Sequence, residues 1–150
     1  MTLSDRLMEL ADRQMAKIAR VIGSGSGWDP ELIMIKGKAV AITVIAEAPR
    51  PMDIAAFIVR LHKPDAYCFA AEAWMAFPEP GATYRHGDIA KSEAKMEILA
   101  QVWCVNGGEP GVRIFTIDRV NNKLDPFEAE MKSLQEQGGL KFSTKLPSSW

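Results

Sequence analysis

The first 22 residues alternate between apolar and charged positions with the period of an α-helix. Leucine, isoleucine, valine and alanine recur every three or four places, and charged groups fill the positions between them. This pattern predicts an amphipathic helix with Thr2 or Ser4 as its N-cap and Gly23 at its end. "GSGSGWDP" (residues 23–30) predicts a flexible loop. A phosphate-binding loop would need a strand before these glycines, whereas a helix precedes them here.

Two short runs rich in isoleucine and valine follow the loop. Residues 31–36 and 39–47 predict two strands, and Gly37 between them suits a tight turn because glycine adopts positive φ without strain. Residues 52–62 have apolar positions at helical spacing and predict a second helix. Pro64 ends it, because proline cannot continue a helix.

The middle of the chain predicts two longer strands. Residues 66–77 are apolar on both sides of the alternation, which is typical of a strand in the centre of a sheet. Residues 93–105 contain many good helix formers, but their strict alternation of apolar and polar positions favours a strand. A turn at residues 106–111 then leads to another strand at residues 112–120.

The last part of the chain predicts a third helix at residues 125–139. Asp125 suits the N-cap, and Pro126 suits the first helical position, where its missing N–H costs nothing. Residues 140–150 predict either a short edge strand or a loose tail.

The element order α-β-β-α-β-β-β-α predicts a single α+β domain. It would contain a mainly antiparallel sheet of about five strands with three helices. A chain of 150 residues, 47% hydrophobic and 25% charged, is long and apolar enough to bury one core.

Alternation also sorts the side chains of the strands onto two faces. Tyr67 and Phe69 share one face with other large apolar residues, and Glu72 lies on the opposite face. This second face is the predicted binding face, with seven residues: Glu72, Trp74, Lys95, Glu97, Gln101, Trp103 and Arg113. Aromatic and charged side chains mixed on one surface are typical of a protein interface.

A purely structural role for Glu72 is the alternative. A cross-strand salt bridge to Lys95, Arg113 or Arg119 would explain why an apolar strand keeps one carboxylate. The same alternation predicts that Cys68 and Cys104 lie on opposite faces, too far apart for a disulfide.

Composition argues against several classes of protein. A net charge of −1 lacks the basic surplus that nucleic-acid binding usually needs, which leaves only a local basic patch for that role. The charged N-terminus does not resemble a signal peptide, and no apolar run is long enough to span a bilayer. We therefore expect a soluble cytoplasmic protein without cofactor or metal, whose partner is another protein or a second copy of itself.

Catalytic chemistry would need an acid–base set. Glu72, His86 and Asp88 are the candidates, and the last two lie in the predicted loop "YRHGD" (residues 84–88). No nucleophile elbow or metal-ligand spacing accompanies them. A non-catalytic domain that binds protein or self-associates through a sheet face is the first hypothesis. A small-molecule-binding protein or hydrolase-like enzyme that uses this loop is the second.

"FAAEAWMAF" (residues 69–77), a polar loop and "KSEAKMEILAQVW" (residues 91–103) carry a resemblance. Over residues 53–119 the chain resembles a group of small uncharacterised bacterial and phage proteins with a Glu-Ala-Trp strand. The loop between the two segments is less rich in proline and serine than in that group. The resemblance implies a strand at residues 93–105 and a bacterial or phage origin. An accessory role in a phage or mobile element is thus a third hypothesis.

Overall fold

A computed structural model describes residues 1–75, 96–127 and 146–150. These residues form two helices and one sheet of six strands, in which every neighbouring pair is antiparallel. The elements are α1 (Leu3–Gly23), β1 (Glu31–Lys36), β2 (Ala39–Val44), α2 (Pro51–His62), β3 (Ala66–Met75), β4 (Met96–Val105), β5 (Gly111–Asp118) and β6 (Lys123–Pro126). Their order in the sheet is β2-β1-β3-β4-β5-β6.

The predicted α+β class and antiparallel sheet are confirmed, and the first seven elements follow the predicted order. The count of five strands was wrong, because β6 adds a sixth. Residues Asp125 and Pro126 pair with β5 instead of starting a helix. The rest of the predicted third helix, from residue 128 onward, lies outside the described residues, so that the described part contains two helices.

The reason for the missed strand is a local turn. The Asp118 carboxylate accepts hydrogen bonds from the backbone N–H groups of Val120 and Asn121, both at 3.0 Å. Such side-chain turns reverse the chain tightly and compete with continued strand or helix. Pro126 fits because it ends an edge strand, where a missing N–H removes no required ladder bond.

The N-terminal helix begins as the sequence predicts. The Thr2 hydroxyl accepts from the backbone N–H of Asp5 at 3.1 Å, and the Asp5 carboxylate accepts from the N–H of Thr2 at 3.2 Å. This reciprocal capping box satisfies two N–H groups that have no partner within the helix. Neither described helix combines the length and apolar character needed to cross a bilayer.

Each helix covers one side of the sheet. The α1 face is the side that carries Cys68 and Leu99, where the apolar stripe of α1 packs. The α2 face is the opposite side, which carries Phe69 and Val102 beneath α2. Strand β3 is therefore buried on both sides and lies inside the sheet, as its composition predicts.

The two cysteines lie on opposite faces, as predicted. Cys68 belongs to the α1 face and Cys104 to the α2 face, and both are buried free thiols. The last residues of the chain also pack on the α2 face. The Tyr67 hydroxyl donates to the carbonyl of Pro147 at 2.8 Å, and the Trp150 ring centroid lies 5.3 Å from that of Tyr67. Residues 146–150 are thus held against the core.

Gly111 provides a test of packing between β4 and β5. The Trp103 indole lies directly over this glycine, and a Cβ built on Gly111 would overlap the ring. Gly111→Ala should therefore lower the free energy of unfolding by about 1–3 kcal/mol, because the indole must move. Urea denaturation measures the loss.

Gly27→Ala is the matched control, since a Cβ there meets its nearest neighbour, a Glu72 oxygen, at an ordinary 3.8 Å. If both variants unfold at the same urea concentration, Trp103 does not depend on Gly111 for its position.

Candidate functional site

The predicted binding face coincides with the α1 face, and α1 divides it. Lys95 lies outside the described residues. Gln101 is fully buried beneath α1, and its side-chain amide donates to the carbonyl of Ala11 at 2.8 Å and to Gln14 Oε1 at 3.0 Å. In this structure a partner cannot reach Gln101 without displacing the helix.

Trp103 and Arg113 form the half-buried border of that helix contact. The Arg113 guanidinium lies 4.9 Å from the Trp103 ring centroid, which is close enough for a cation–π interaction. Its Nη2 is also 2.8 Å from a carboxylate oxygen of Asp12 on α1. Both side chains therefore help to hold α1 on the sheet.

The open end of the predicted binding face lies beyond α1. Trp74 is 47% exposed there, and Glu72 and Glu97 remain half-buried beside it. Arg119 from the end of β5 contacts both carboxylates, and its Nη2 is 3.0 Å from Glu72 Oε2. The hydrogen bonds that Arg119 donates to Glu97, and then to Glu72, raise the pKa of Arg119 above its ordinary value. The predicted cross-strand salt bridge of Glu72 is confirmed with Arg119 as its partner.

Glu72 has a second partner that the sequence did not reveal. Its Oε1 accepts from the backbone N–H of Trp28 at 2.8 Å. The Trp28 indole is 8% exposed and donates to the carbonyl of Ala70 at 3.3 Å, while Lys17 Nζ lies 5.5 Å from its ring centroid. The glycine-rich segment after α1 is therefore tied to the sheet by a buried tryptophan.

These contacts leave Glu72 poorly placed to act as a base, because both carboxylate oxygens already accept hydrogen bonds or pair with a cation. His86 and Asp88, the other two candidates, lie outside the described residues. Within the parts of the chain that are described, no three histidine, cysteine or acidic residues come together as a metal site.

A buried polar network joins α1 to the sheet. Glu31 is 3% exposed, and its Oε2 lies 2.9 Å from Lys17 Nζ. Gln14 donates to Glu31 Oε1 at 3.2 Å and accepts from the Cys68 thiol at 3.1 Å. Buried hydrogen bonds of this kind specify one packing arrangement, here the position of α1. Burial raises the pKa of the Cys68 thiol to about 12, which keeps it neutral and a weak nucleophile.

Three further exposed apolar side chains lie together on strand β2. This strand is at one edge of the sheet, and α1 packs over β1, β3, β4 and β6 without covering it. Val40, Ile42 and Val44 are 45%, 58% and 56% exposed. They point to the α1 face as an alternating set, because their partners on β1 include Ile33 and Ile35. We call these three residues the β2 row.

Sequence reasoning predicted the strand but missed the row. Alternation of large residues with Ala39, Ala41 and Thr43 is visible in the sequence. Nothing in that alternation shows that the strand lies at an edge, because strand order depends on pairing between distant segments.

The α2 side of β2 is also open. A groove of about 390 Å³ runs between β2 and the end of α2, and Met34, Ala41, Thr43 and His62 are among its lining residues. The outer side of α2 exposes an apolar stripe of its own: Ile54, Phe57 and Leu61.

Two substitutions separate the roles of Glu72. Glu72→Ala removes the acceptor for Trp28 and the partner of Arg119, and should cost about 2 kcal/mol of unfolding free energy. Glu72→Gln keeps an oxygen for the Trp28 N–H and loses the part-exposed ion pair, so its cost should stay below about 1 kcal/mol. Urea denaturation followed by tryptophan emission measures both. Equal losses for the two variants would show that the Trp28 hydrogen bond contributes nothing.

The Cys68 thiol predicts a loss of stability at alkaline pH. Its pKa is 9.0 when exposed and about 12 in the fold, so the folded state holds this proton more tightly. The resulting stabilisation is complete below pH 9 and is lost as pH rises from 9 towards 12. Between pH 8 and pH 10 the free energy of unfolding should fall by about 1 kcal/mol more in the native chain than in Cys68→Ala.

Denaturant titrations at several pH values measure this difference. The range stops at pH 10 because burial also raises the pKa of the Tyr67 phenol, ordinarily 10.0, which would add to the loss above that pH. Parallel pH profiles for the native chain and Cys68→Ala would contradict the assignment to Cys68.

Comparisons with known proteins give no match: no family model, no curated protein and no solved structure is similar to this chain.

Proposed function

We propose that this protein is a non-catalytic domain that binds another protein chain through the outer edge of β2. The supporting observation is the β2 row, three adjacent aliphatic side chains that are each about half exposed on an edge strand. Protein surfaces usually expose large apolar residues singly, and contiguous sets mark interaction sites.

The described part of the chain gives this edge none of the usual protection. Natural edge strands are commonly blocked by proline, by charged side chains, by a bulge or by a covering element, which prevents unwanted pairing. Strand β2 reads "AVAITV" and contains neither a charge nor a proline. Its register with β1 is continuous over all six residues, so no bulge interrupts it. Among the described residues, no element pairs with its outer side.

Energy considerations favour an interface that combines side chains with backbone. Complete burial of a valine or isoleucine side chain stabilises by about 1.5–3 kcal/mol, and the β2 row has roughly half of that still to gain. Three such gains alone are small beside the entropy lost on association. Backbone hydrogen bonds from an added strand would supply affinity as well as direction, as in other cases of strand addition.

The open end around Trp74 is a second surface for the same kind of function. It is what remains of the predicted binding face after α1 covers Gln101. Its two carboxylates share the single cation of Arg119, so it presents one large aromatic side chain beside an excess of one negative charge. The loop at residues 84–88 is not described, and a small-molecule role for it stays a prediction, as does a phage accessory role.

The test compares the two surfaces directly. Ile42→Asp places a charge in the β2 row, and Val120→Asp introduces the same side chain at a 91% exposed position in the β5–β6 turn. Trp74→Ala removes the aromatic residue from the other surface. Proteins retained by the immobilised native chain are purified, and each is titrated against the native chain and the three variants. Self-association of the same four forms is measured alongside.

We expect at least one interaction, with another protein or with the chain itself, that weakens at least tenfold in Ile42→Asp and is unchanged in Val120→Asp and Trp74→Ala. Binding that weakens only in Trp74→Ala would show that the interaction uses the open end around Trp74 instead of the β2 edge. Identical binding by all four forms would refute an interaction role for either surface.

A further inference from the structure

We infer that the occupant of the β2 edge is a second copy of this chain, paired antiparallel to the first through β2 and related to it by a two-fold axis at Ile42. The inference rests on the proposed function and names its partner. It follows from the direction of the backbone groups, the register of the β2 row and the charges at its two ends.

The direction of the backbone groups comes from the β1–β2 ladder. The N–H of Ile45 donates to the carbonyl of Pro30 at 2.8 Å, just beyond the paired residues Val44 and Glu31. Hydrogen-bonded and non-hydrogen-bonded positions alternate along an antiparallel pair. The odd-numbered residues of β2, like Ile45, therefore point their backbone N–H and C=O groups towards β1. The residues of the β2 row are even-numbered, so their N–H and C=O groups point out of the sheet, away from β1.

A two-fold axis perpendicular to the sheet at Ile42 uses all of these groups. It places Ile42 opposite Ile42 of the second copy. Val40 then lies opposite Val44 of the second copy, and by symmetry Val44 lies opposite its Val40. Each such pair is of the hydrogen-bonded type and exchanges both N–H···O=C bonds. The two β2 rows then lie side by side on one face of a continuous sheet, and their aliphatic side chains cover one another.

Neighbouring registers fit less well. Moving the axis to Ala41 would place Val44 opposite Lys38, and moving it to Thr43 would place Val40 opposite Ala46. The axis at Ile42 is the one that pairs every member of the β2 row with another member.

Charge at the ends of β2 favours the same register. The strand is preceded by Lys36 and Lys38 and followed by Glu47. With the axis at Ile42, Glu47 of the second copy comes near Lys38, which lies at the β1–β2 turn just before β2, and the symmetry repeats this contact at the other end. Like charges would meet in a parallel arrangement, so this pattern selects antiparallel pairing.

The described helices leave room for a second copy. Helix α1 packs over β1, β3, β4 and β6, and the Arg6 guanidinium donates to the carbonyl of Gly37 in the β1–β2 turn at 2.8 Å. Helix α2 packs against core residues of β1 and β3, including Leu32 and Phe69. On the α2 face, β2 presents only Ala39, Ala41 and Thr43, which are small. Strand β6 at the opposite edge is a poor alternative, because it is short and carries charges and a proline.

The first experiment measures the mass of the purified chain by sedimentation equilibrium over a wide concentration range. We expect a monomer–dimer equilibrium that weakens at least tenfold in Ile42→Asp and is unchanged in Val120→Asp. Ile42→Pro should also abolish the dimer while keeping the fold, because it removes an outward N–H that β1 does not use. Circular dichroism and urea denaturation verify that each variant is folded.

The second experiment tests the register by cysteine cross-linking. Ile42→Cys should form a disulfide between copies under mild oxidation, since directly opposed Cα atoms in a hydrogen-bonded pair are about 5.5 Å apart. Val40→Cys alone should not cross-link, whereas a mixture of Val40→Cys and Val44→Cys chains should. The natural cysteines are both buried and do not compete.

A charge exchange tests the contact between Lys38 and Glu47 of the second copy. Lys38→Glu should weaken the dimer, and the double variant Lys38→Glu with Glu47→Lys should restore it.

The outcomes separate this inference from the proposed function. A native chain that stays monomeric at every concentration refutes the dimer; if Ile42→Asp nevertheless abolishes binding to a purified partner, the β2 edge keeps its proposed role. A dimer that persists in Ile42→Asp, or that cross-links through Val40→Cys alone, refutes this interface or this register. If Ile42→Asp changes neither self-association nor any other binding, both proposals fail.

Discussion

Burial of β3 on both sides is the constraint on which the described structure depends. Its residues from Ala66 to Ala71 are all buried, half of them on each face, so apolar cover is needed above and below the middle of the sheet. Helix α1 provides that cover on one side and α2 on the other. Both described helices therefore pack over the middle of the sheet, and the β2 row at the edge stays exposed. The proposed interface is a consequence of how the core is covered.

Glu72 shows how a polar residue in such a strand serves the fold. One carboxylate oxygen holds the backbone of Trp28, and the other pairs with Arg119 from β5. The acid thus connects the segment after α1, strand β3 and the end of β5 at one point on the α1 face. The buried network around Gln14 and Glu31 does the same further along the helix. Together these polar contacts fix where α1 lies, which in turn decides that it stops short of β2.

An edge strand that pairs with its own copy would solve a problem that the single chain leaves open. Unpaired backbone groups beside aliphatic side chains invite uncontrolled pairing with any extended segment. A two-fold pairing satisfies those groups in a closed arrangement that cannot extend further along that edge. In the proposed dimer, lysine before β2 and an acid after it would favour the antiparallel register with its own copy over other registers.

The sequence by itself determined the local elements. Period and alternation identified both described helices, the strands from β1 to β5, the central place of β3 and the opposite faces of Cys68 and Cys104, because these depend on neighbouring residues. Strand β6 was not predicted, because Asp125 and Pro126 suit the start of a helix as well as an edge strand. Only the tertiary structure decided that α1 covers Gln101, that Glu72 binds Trp28, and that β2 lies at an edge that neither described helix covers. Those outcomes depend on contacts between segments far apart in the chain, where many arrangements share the same local pattern and packing of the whole core selects one.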